Sequence, residues 1–450
     1  MPEDLTVMIV DSSARAHALS AAYEKSQNVK RIIVSPGNDF IKYKRQKEVL
    51  VEPGKLTDPQ SFLAVAQKYK PDLVDVCQDD ALAAGTVDLL QENGFTVFGP
   101  TKAAARLEWD KEWSRNFMAK ENIPHPDFVT FTDESAGIEF ARAVYKSVPG
   151  KLLFIKAAGL CAGKGAIPAR NLEEAITAIE TMKSFGPAGK TYLIETGMVG
   201  EEASFYAFSD GLNFRLVKSA QDNKRLSNFD EGPNTGGMGA VAPAGGITPS
   251  LEFSIASEII SPAIRGMHGR KIPYCGVLYA GIMVVEENGK FVPKVVEFNS
   301  RLGAPEAEVV VPGIQTPMDV IAYACINQKS SAIDIKEDDK TRVCVVGAVR
   351  GYPDNAAVDS AKKKNLRIYG LDEAMRVFGV TVYGAGIKMA DNKFYVNGGR
   401  LFSLVAEGFD IRDARAKAMH AMSMVSVEGN NLHYRTDIGW RDMERYNGQR

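Results

Sequence analysis

Apolar and polar positions in the first part of the chain form short apolar runs separated by segments with helical spacing. The predicted strands cover residues 5–10, 29–34, 73–77 and 96–98, and the predicted helices begin near Arg15 and cover residues 59–69 and 81–93. Strands that alternate with helices indicate a parallel sheet with helices on both faces. The carboxyl ends of the strands form the edge at which such a sheet binds ligands.

The loop after the first predicted strand, Asp11-Ser12-Ser13-Ala14, lacks the G-x-G-x-x-G pattern of dinucleotide-binding domains. Its serines and the amides of the following helix could receive a phosphate. An ordinary helix cap explains the same residues equally well, so both interpretations stay open.

A long polar helix at residues 103–121 ends this pattern and marks the first domain boundary. Strands dominate the region that follows. They are predicted at residues 152–155, 192–194, 203–208 and 214–217, with a helix at 172–182. This arrangement predicts a second, α+β domain.

Residues 295–298 form a further apolar run, which predicts a buried strand. Alternate side chains of a strand share a face, so Glu297 and Asn299 lie side by side and Arg301 continues that face. A carboxylate and a carboxamide suit Mg²⁺, which takes few protein ligands and completes its shell with water and phosphates. The Arg301 guanidinium could hold a carboxylate or a phosphate. A solvated strand end is the alternative for these residues taken alone.

Two glycine-rich stretches offer backbone amides beside basic side chains. Lys156 ends a predicted strand and precedes a turn centred on Gly163-Lys164-Gly165, which suits a polyphosphate or is simply a flexible hairpin tip. Lys224 and Arg225 precede the run Gly232-Pro233-Asn234-Thr235-Gly236-Gly237-Met238-Gly239. Its composition predicts a long irregular loop, which is usually functional in a compact domain, and a plain surface loop is the weaker alternative.

Composition narrows the class of protein. The chain has 450 residues, of which 45% are hydrophobic and 24% charged, typical of a soluble globular protein with several domains. A formal net charge of −2 gives no reason to expect a nucleic acid or a membrane as partner. Five scattered cysteines indicate a reducing compartment, and no apolar run approaches the length of a membrane span. We therefore expect a cytoplasmic protein.

Taken together, the motifs resemble the ATP-grasp ligases and, more narrowly, the glycinamide ribonucleotide synthetase family. The resemblance covers nearly the whole chain and includes Pro36-Gly37-Asn38, Gly99-Pro100-Thr101, Gly200-Glu201-Glu202, Asn397-Gly398-Gly399-Arg400 and Tyr434-Arg435-Thr436-Asp437-Ile438-Gly439. It implies an N-terminal Rossmann-like domain at residues 1–104, an ATP-grasp domain at 105–340 with a flexible lid at about 124–195, and a small C-terminal α+β domain at 341–450.

The resemblance also implies a role for each candidate residue. Contacts to the nucleotide are implied for Lys111, Lys156, Gly163, Lys164, Gly165, Glu195 and Glu202, with Glu195 at the adenine hinge and Glu202 at the ribose. Glu297 and Asn299 would hold the metal. The residues implied to act on the reacting groups are Lys224, Arg225, Asn234 and Arg301.

The implied reaction joins phosphoribosylamine and glycine with ATP and Mg²⁺ or Mn²⁺, in purine biosynthesis, by a monomer or a homodimer. A carboxylate is a poor electrophile, so ATP first converts it to an acyl phosphate, which the amine attacks. The protein contributes mainly positioning and charge neutralisation. A paralogue that joins another amino acid or amine, and a nucleotide-binding protein without catalysis, are the alternatives.

Several positions depart from the family pattern. Asp11 adds a negative charge beside the first loop, and Ala16, Ala158 and Ala304 stand where the family carries carboxylates. Asp79 and Thr196 depart as well. We expect most of these changes to lie on the substrate side of the site, with the ATP and metal side kept.

Overall fold

The first part of the molecule is the α/β domain that the alternating pattern predicts. The structure is a computed structural model that describes residues 3–161 and 163–448. The strands are β1 (Leu5–Asp11), β2 (Val29–Pro36), β3 (Glu48–Val51), β4 (Leu73–Val76) and β5 (Val97–Phe98). The helices are α1 (Ala14–Lys25), α2 (Pro59–Tyr69), α3 (Asp79–Ala84) and α4 (Thr86–Glu92). The strands are parallel, in the order β3-β2-β1-β4-β5.

The order of this sheet reverses between β1 and β4. A crevice opens at the carboxyl ends of the strands at such a switch point, and open α/β sheets bind their ligands there. The reversal brings Asp11, the last residue of β1, beside Cys77, whose Sγ lies 4.0 Å from the Asp11 carboxylate.

Two of the predicted helices are divided in the structure. Gly85, with a φ of +91°, separates α3 from α4, because glycine readily adopts this left-handed conformation. The helix predicted at residues 103–121 consists of α5 (Arg106–Trp109) and α6 (Lys111–Lys120). Asp110 interrupts it and accepts a hydrogen bond from the Trp113 amide at 3.0 Å. This side-chain cap starts a new helix at Lys111, although the polar pattern continues through Asp110 without a break.

A small antiparallel sheet follows, in the order β6-β9-β7-β8, and is called the lid sheet below. Its strands are β6 (Phe128–Phe131), β7 (Leu153–Ala157), β8 (Ala166–Ala169) and β9 (Tyr192–Thr196), and its helices are α7 (Glu134–Ser147) and α8 (Leu172–Thr181). The sheet and its helices enclose a core of their own, which includes Ile155, Ala175 and Ile194.

A large antiparallel sheet runs through most of the remaining chain. Its strand order is β16-β15-β10-β11-β14-β17-β22-β19, with β24 beside β17. The elements before residue 340 are β10 (Gly200–Asp210), β11 (Phe214–Asp222), β12 (Arg225–Ser227), β13 (Glu231–Asn234), β14 (Gly239–Ala242), α9 (Pro249–Ser254), α10 (Ser261–Gly269), β15 (Cys275–Glu287), β16 (Lys290–Asn299), α11 (Ala307–Val310) and α12 (Met318–Ile326).

The C-terminal part contributes further strands and helices to this sheet and to a second, smaller sheet. They are β17 (Thr341–Val349), α13 (Asn355–Lys363), β18 (Arg367–Tyr369), α14 (Leu371–Phe378), β19 (Thr381–Gly384), β20 (Ile387–Ala390), β21 (Lys393–Val396), β22 (Arg400–Gly408), α15 (Ile411–Ser423), β23 (Ser426–Val427), β24 (Leu432–His433) and α16 (Trp440–Gly448). Since β14 pairs with β17, backbone hydrogen bonding continues across the boundary predicted at residue 340. Across residues 3–161 and 163–448, every helix is too short or too polar to cross a membrane.

The second glycine-rich stretch is not the long irregular loop that its composition predicts. β11 extends to Asp222, β12 and β13 pair as a hairpin, and β14 begins at Gly239. A Cβ on Gly239 would lie 2.5 Å from the carbonyl oxygen of Cys344, so glycine permits the close approach of β17. At this position glycine is needed for the packing of two strands. Composition alone does not distinguish such a glycine from one in a loop.

The C-terminal segment fastens the β12–β13 hairpin from outside. Arg435 is completely buried, and its guanidinium donates to the two carboxylate oxygens of Asp437 at 2.7 and 2.6 Å. It also donates to Asp230, near the hairpin tip, at 2.8 Å. Asp437 in turn accepts a hydrogen bond from the Phe229 amide at 2.6 Å. The hairpin is therefore held by charged groups that are largely out of contact with water.

We expect Arg435→Ala to lower the free energy of unfolding by about 3–5 kcal/mol, because it leaves the Asp437 carboxylate buried without its cation. Urea denaturation followed by circular dichroism measures the change. Arg412→Ala is the matched control, since Arg412 forms an exposed pair with Asp410 at 3.0 Å and should cost less than about 1 kcal/mol. Equal losses for the two variants would contradict a special role for the buried pair.

Candidate active site

A cleft of about 660 Å³ receives side chains from the lid sheet, the large sheet and the α/β domain. The predicted site residues that line it are Lys111, Lys156, Gly163, Gly165, Glu195, Glu202, Lys224, Arg225, Asn234, Glu297, Asn299 and Arg301. Lys164 is exposed and does not belong to this lining. The structure thus gathers residues that are far apart in sequence, while the role of each stays a prediction.

Glu195 and Lys156 form a buried ion pair at the end of the cleft where the lid sheet meets β16. Glu195 lies on β9 and Lys156 on the neighbouring β7, and Lys156 Nζ lies 2.7 Å from Glu195 Oε2. Arg115, on α6, donates to the same carboxylate at 2.6 and 3.0 Å and to the carbonyl of Val296 at 2.6 Å. One carboxylate therefore links the lid sheet, α6 and β16.

The charges of this cluster are fixed by their mutual contacts. Burial alone would raise the pKa of Glu195, but Arg115 and Lys156 outweigh it and lower that pKa to about 2. Burial lowers the pKa of Lys156, and Glu195 opposes this effect. Glu195 is therefore ionised at any pH at which the protein works.

Arg115 was not among the predicted residues, although the sequence carries a signal for it. Lys111 and Arg115 are four residues apart on one helix, so both side chains lie on the same face. If Lys111 faces the cleft, the helical spacing predicts that Arg115 faces it as well.

The loop between β7 and β8 brings backbone close to the cleft. Gly163 has a φ of +76°, and the Lys164 amide donates to the Cys161 carbonyl at 2.9 Å. A Cβ on Gly165 would lie 2.8 Å from the Cβ of Cys161. Glycine is therefore required at these positions by conformation and by space.

Glu297 and Asn299 share a face of β16, as the strand period predicts. Glu297 lies opposite Gly281, which has no side chain, and Asn299 lies opposite Tyr279. The Asn299 Nδ2 is buried and, within the described part of the chain, has no hydrogen-bond partner. The Asn299 oxygen accepts a hydrogen bond from Arg301 Nη2 at 3.3 Å, and its second lone pair is left for a cation.

The residues near β16 fit a cation that shares its coordination with phosphates. Burial alone would raise the pKa of Glu297, but Lys224, Lys111 and Lys156 outweigh it, so the pKa is lowered. Among the described residues no group of three or more His, Cys, Asp and Glu side chains could hold a metal alone. A site with one carboxylate and one carboxamide suits Mg²⁺, which binds through one or two protein ligands and a nucleotide.

Lys224 lines the cleft and forms an ion pair with Glu202 on β10. Burial alone would lower the pKa of Lys224, but Glu202, Glu297 and Asp222 outweigh it and raise that pKa. Asp222 itself is partly enclosed by the cleft lining, and burial and Glu306 raise its pKa well above the usual range. Lys224 is therefore surrounded by the carboxylates of Glu202, Glu297 and Asp222.

Arg301 is positioned by Glu108, a residue that the motifs did not reveal. Arg301 Nη2 lies 2.8 Å from Glu108 Oε1, and the Ser300 amide donates to Glu108 Oε2 at 2.7 Å. Burial raises the pKa of Glu108 to about 7, with Arg301 opposing the shift. Within residues 3–161 and 163–448, Arg301 Nε is buried without a partner, which leaves a donor for an anion.

A second arginine reaches the cleft from the C-terminal part. Arg400 donates to the carbonyls of Gly236 and Ala304, the latter at 2.8 Å. The Tyr352 hydroxyl accepts a hydrogen bond from the Gly236 amide at 3.0 Å. The C-terminal part therefore holds two loops of the cleft in fixed positions. The resemblance included Arg400, but its contacts depend on the folded chain.

The departures from the family pattern lie in different parts of the structure. Ala304, Asp79 and Thr196 line the cleft, and Asp79 lies 3.8 Å from Arg301. Ala16 is fully buried within α1, and Ala158 lies outside the cleft lining, where its carbonyl accepts from the Lys111 amide at 2.9 Å. That most of these changes face the substrate stays a prediction.

Three family models match the chain in succession. Residues 5–108 match the phosphoribosylglycinamide synthetase N domain, residues 109–307 its ATP-grasp (A) domain and residues 342–441 its C domain. The chain belongs to the phosphoribosylglycinamide synthetase family. The resemblance seen in the motifs is thereby confirmed, as is the fold class of a Rossmann-like domain, an ATP-grasp domain and a C-terminal domain.

Relatives of known name agree with this family. The phosphoribosylamine–glycine ligase of Vibrio parahaemolyticus is 35% identical over 98% of this chain and 99% of its own length. The trifunctional purine biosynthetic protein adenosine-3 of Gallus gallus is 37% identical over 97% of this chain, which spans 42% of that protein.

Solved structures share the architecture. The phosphoribosylamine–glycine ligase of Thermotoga maritima has a TM-score of 0.76 and 29% identity, covering 96% of this chain and 100% of its own. The biotin carboxylase domain of a Hydrogenobacter thermophilus carboxylase, at 14% identity and a TM-score of 0.68 over 96% and 92% of the two chains, shares the fold. The phosphoribosylglycinamide synthetase family member described here is an ATP-grasp ligase that forms carbon–nitrogen bonds, and such ligases use ATP with a divalent metal ion.

We expect Lys156→Met to weaken ATP binding about tenfold or more, because it removes a buried cation from the cleft. The melting temperature should change little, since Glu195 keeps both hydrogen bonds from Arg115. Titration calorimetry and thermal denaturation measure the two effects. Lys294→Met, which breaks an exposed pair with Glu287, is the control. Unchanged ATP affinity with a large loss of melting temperature would show that Lys156 is only structural.

Proposed function

We propose that this chain joins glycine to phosphoribosylamine, with ATP and Mg²⁺ or Mn²⁺, to form glycinamide ribonucleotide in purine biosynthesis. The observation that carries the proposal is the order of groups along one cleft. The cations Lys156 and Lys224 and the candidate ligands Glu297 and Asn299 line the same cleft, and Arg301 lies two residues beyond the end of β16. Groups suited to phosphate, to a metal ion and to a carboxylate would thus be neighbours.

The nucleotide would bind between the lid sheet and β16. Apolar residues of the lining, among them Met118, Phe154 and Met283, suit a flat base, and Glu195 would mark the hinge beside them. Lys111 and Lys156 would hold the phosphates, with backbone amides of the loop at Gly163 and Gly165. Glu202 would accept hydrogen bonds from the ribose hydroxyls. Its carboxylate would then contact both the ribose and Lys224, or its ion pair with Lys224 would break.

Activation of glycine would take place where Lys224 and Arg225 face Arg301. Glu297 and Asn299 would hold the metal ion, which would supply positive charge against the phosphates. The Arg301 guanidinium, fixed by Glu108, would orient the carboxylate for attack on the terminal phosphate, and Lys224 would stabilise the charge that develops there. Asn234 and the hairpin that carries it would close over the reacting groups. The resulting acyl phosphate would then be attacked by the amine, with release of phosphate.

Water must be kept from the acyl phosphate while the amine binds. The loop at Gly163-Lys164-Gly165 and the lid sheet within residues 124–195 would cover the site. The boundaries at residues 104 and 340 stay our prediction for the three domains. The cysteines that the structure describes are unpaired, which supports a reducing compartment such as the cytoplasm. A monomer or a homodimer stays our prediction for the assembly.

A second candidate is a paralogue that joins another amino acid or amine. The observation in its favour is that Ala304 and Asp79, which depart from the family pattern, line the same cleft as Arg301. When a site loses the groups that formed hydrogen bonds with its original substrate, polar groups are left unpaired, and the site binds that substrate much more weakly.

Phosphate release with ATP, glycine and freshly generated phosphoribosylamine, with mass detection of the product, decides between these candidates. Glycinamide ribonucleotide formed in step with phosphate supports the first. Release that depends on a different amino acid or amine, with no such product, supports the second. ATP binding without turnover of any pair would show that the chain only binds nucleotide.

We expect Glu297→Gln to reduce turnover roughly a hundredfold or more while the fold is kept, because the metal loses its only carboxylate on β16. Electron paramagnetic resonance should show weaker Mn²⁺ binding in the presence of ATP, independently of turnover. Glu287→Gln, an exposed residue of the same hairpin, is the control and should change neither quantity. Near-normal Mn²⁺ affinity in Glu297→Gln would contradict the assignment.

A further inference from the structure

The backbone pairing between β10 and β11 ends before β10 does. It stops at Ser204 and Ala220, although β10 begins at Gly200 and β11 continues to Asp222. At Gln221 the main chain of β11 is paired with β14. Within the described chain, residues 200–203 of β10 therefore keep their partners on β15 but have no paired residue on β11.

The Gln221 side chain replaces the missing backbone partner. Its Nε2 donates to the Glu202 carbonyl at 2.9 Å and to Glu201 Oε1 at 2.7 Å, which uses both N–H groups of the carboxamide. Gln221 is only 5% exposed, so water does not compete for these groups. The main chain at Glu202, a residue of the cleft lining, is thus fixed by a buried side chain.

Glu201 is in turn held by the C-terminal helix. Consecutive side chains of a strand point to opposite faces, so Glu201 lies outside the cleft lining while Glu202 belongs to it. Glu201 Oε2 forms an ion pair with Arg445 of α16. A Cβ on Gly246 would lie 2.7 Å from Arg445 Nη2, so glycine leaves room for this pair. Burial alone would raise the pKa of Glu201, but the hydrogen bonds from Arg445 and Gln221 outweigh it and lower that pKa.

We propose that Gln221 is a positioning residue for the nucleotide ribose, and that Glu201 and Arg445 extend this positioning to α16. The inference rests on the proposed function, because it concerns the contact between Glu202 and the ribose hydroxyls. A fixed main chain keeps the Glu202 carboxylate directed into the cleft, so less order has to be imposed when the nucleotide binds. The C-terminal helix therefore sets how strongly the cleft prefers a nucleotide with ribose hydroxyls.

ADP and 2′,3′-dideoxy-ADP, each with Mg²⁺, are stable probes that differ only in the ribose hydroxyls. Titration calorimetry with the full chain should show a preference for ADP of about tenfold or more, as expected for hydrogen bonds to a carboxylate. Glu202→Ala removes that carboxylate and should reduce the preference to less than about threefold.

Gln221→Met removes both donors and keeps the length of the side chain. It should lower the preference for ADP by about fivefold and leave the affinity for the dideoxy analogue within about twofold of the natural chain, because only the ribose contact is disturbed. Arg445→Met leaves Glu201 without its cation and should lower the preference by about twofold to threefold.

Gln91→Met and Glu444→Gln are the matched controls. Gln91 is an exposed glutamine of α4, and Glu444 is an exposed residue of α16 beside Arg445. Both variants should keep the preference of the natural chain. Circular dichroism establishes that each variant is folded, and Arg445→Met carries the comparison if Gln221→Met is not.

Folded Gln221→Met and Arg445→Met variants that keep the full preference would overturn the inference. Equal losses of affinity for the two nucleotides would overturn it as well, because they show a purely structural role. A natural chain without the preference, or a Glu202→Ala variant that keeps it, would remove both the inference and the ribose contact of Glu202. Failure of the ligation assay with every amine would instead remove the proposed reaction, while this comparison of nucleotides would still hold.

Discussion

Glu195 holds two cations in a space almost closed to water, and the geometry of the cleft depends on this arrangement. A buried carboxylate is tolerated only when paired, and here the pairing residues belong to different structural units: Lys156 to the lid sheet and Arg115 to α6. Arg115 also donates to the Val296 carbonyl, at the point where the pairing of β15 with β16 shifts register. The Arg115 guanidinium therefore links the lid sheet to β16, beside the hydrogen bond from the Lys111 amide to the Ala158 carbonyl.

The groups beyond this cluster are likewise fixed by contacts between distant parts of the chain. Glu108 orients Arg301 from α5, Arg400 holds the loops at Gly236 and Ala304, and Arg435 fastens the hairpin from the C-terminal segment. Each contact involves a charged side chain that is at least partly buried. Removal of one partner from the two buried ion pairs, Arg301–Glu108 and Arg435–Asp437, should therefore cost more than the loss of a surface ion pair. The C-terminal part therefore contributes to the active site through position, although few of its side chains reach the cleft.

Sequence reasoning located four of the five strands of the α/β domain, several strands of the antiparallel sheets and the site residues that lie in recognisable motifs. It predicted neither β15 nor β17, although both are long and largely buried. It did not predict β3, because four residues with an exposed Glu48 at a sheet edge give little periodic signal. It placed one helix across Gly85 and another across Asp110, where a left-handed glycine and a side-chain cap decide the outcome locally. Arg115 and Glu108 were not predicted for a different reason. Their partners, Glu195 and Arg301, are distant in sequence, and only folding brings each pair together.

The pairing of β14 with β17 has a consequence for how this protein can be divided. A chain cut between the second and third domains would leave β14 without the partner that covers one of its edges, and the strand Gly239–Ala242 is short, apolar and buried. An exposed apolar strand edge is a template for pairing with other molecules. The third domain therefore protects the ATP-grasp sheet against aggregation in addition to shaping the cleft, and the two cannot be treated as independent modules that evolution or an experimenter could exchange.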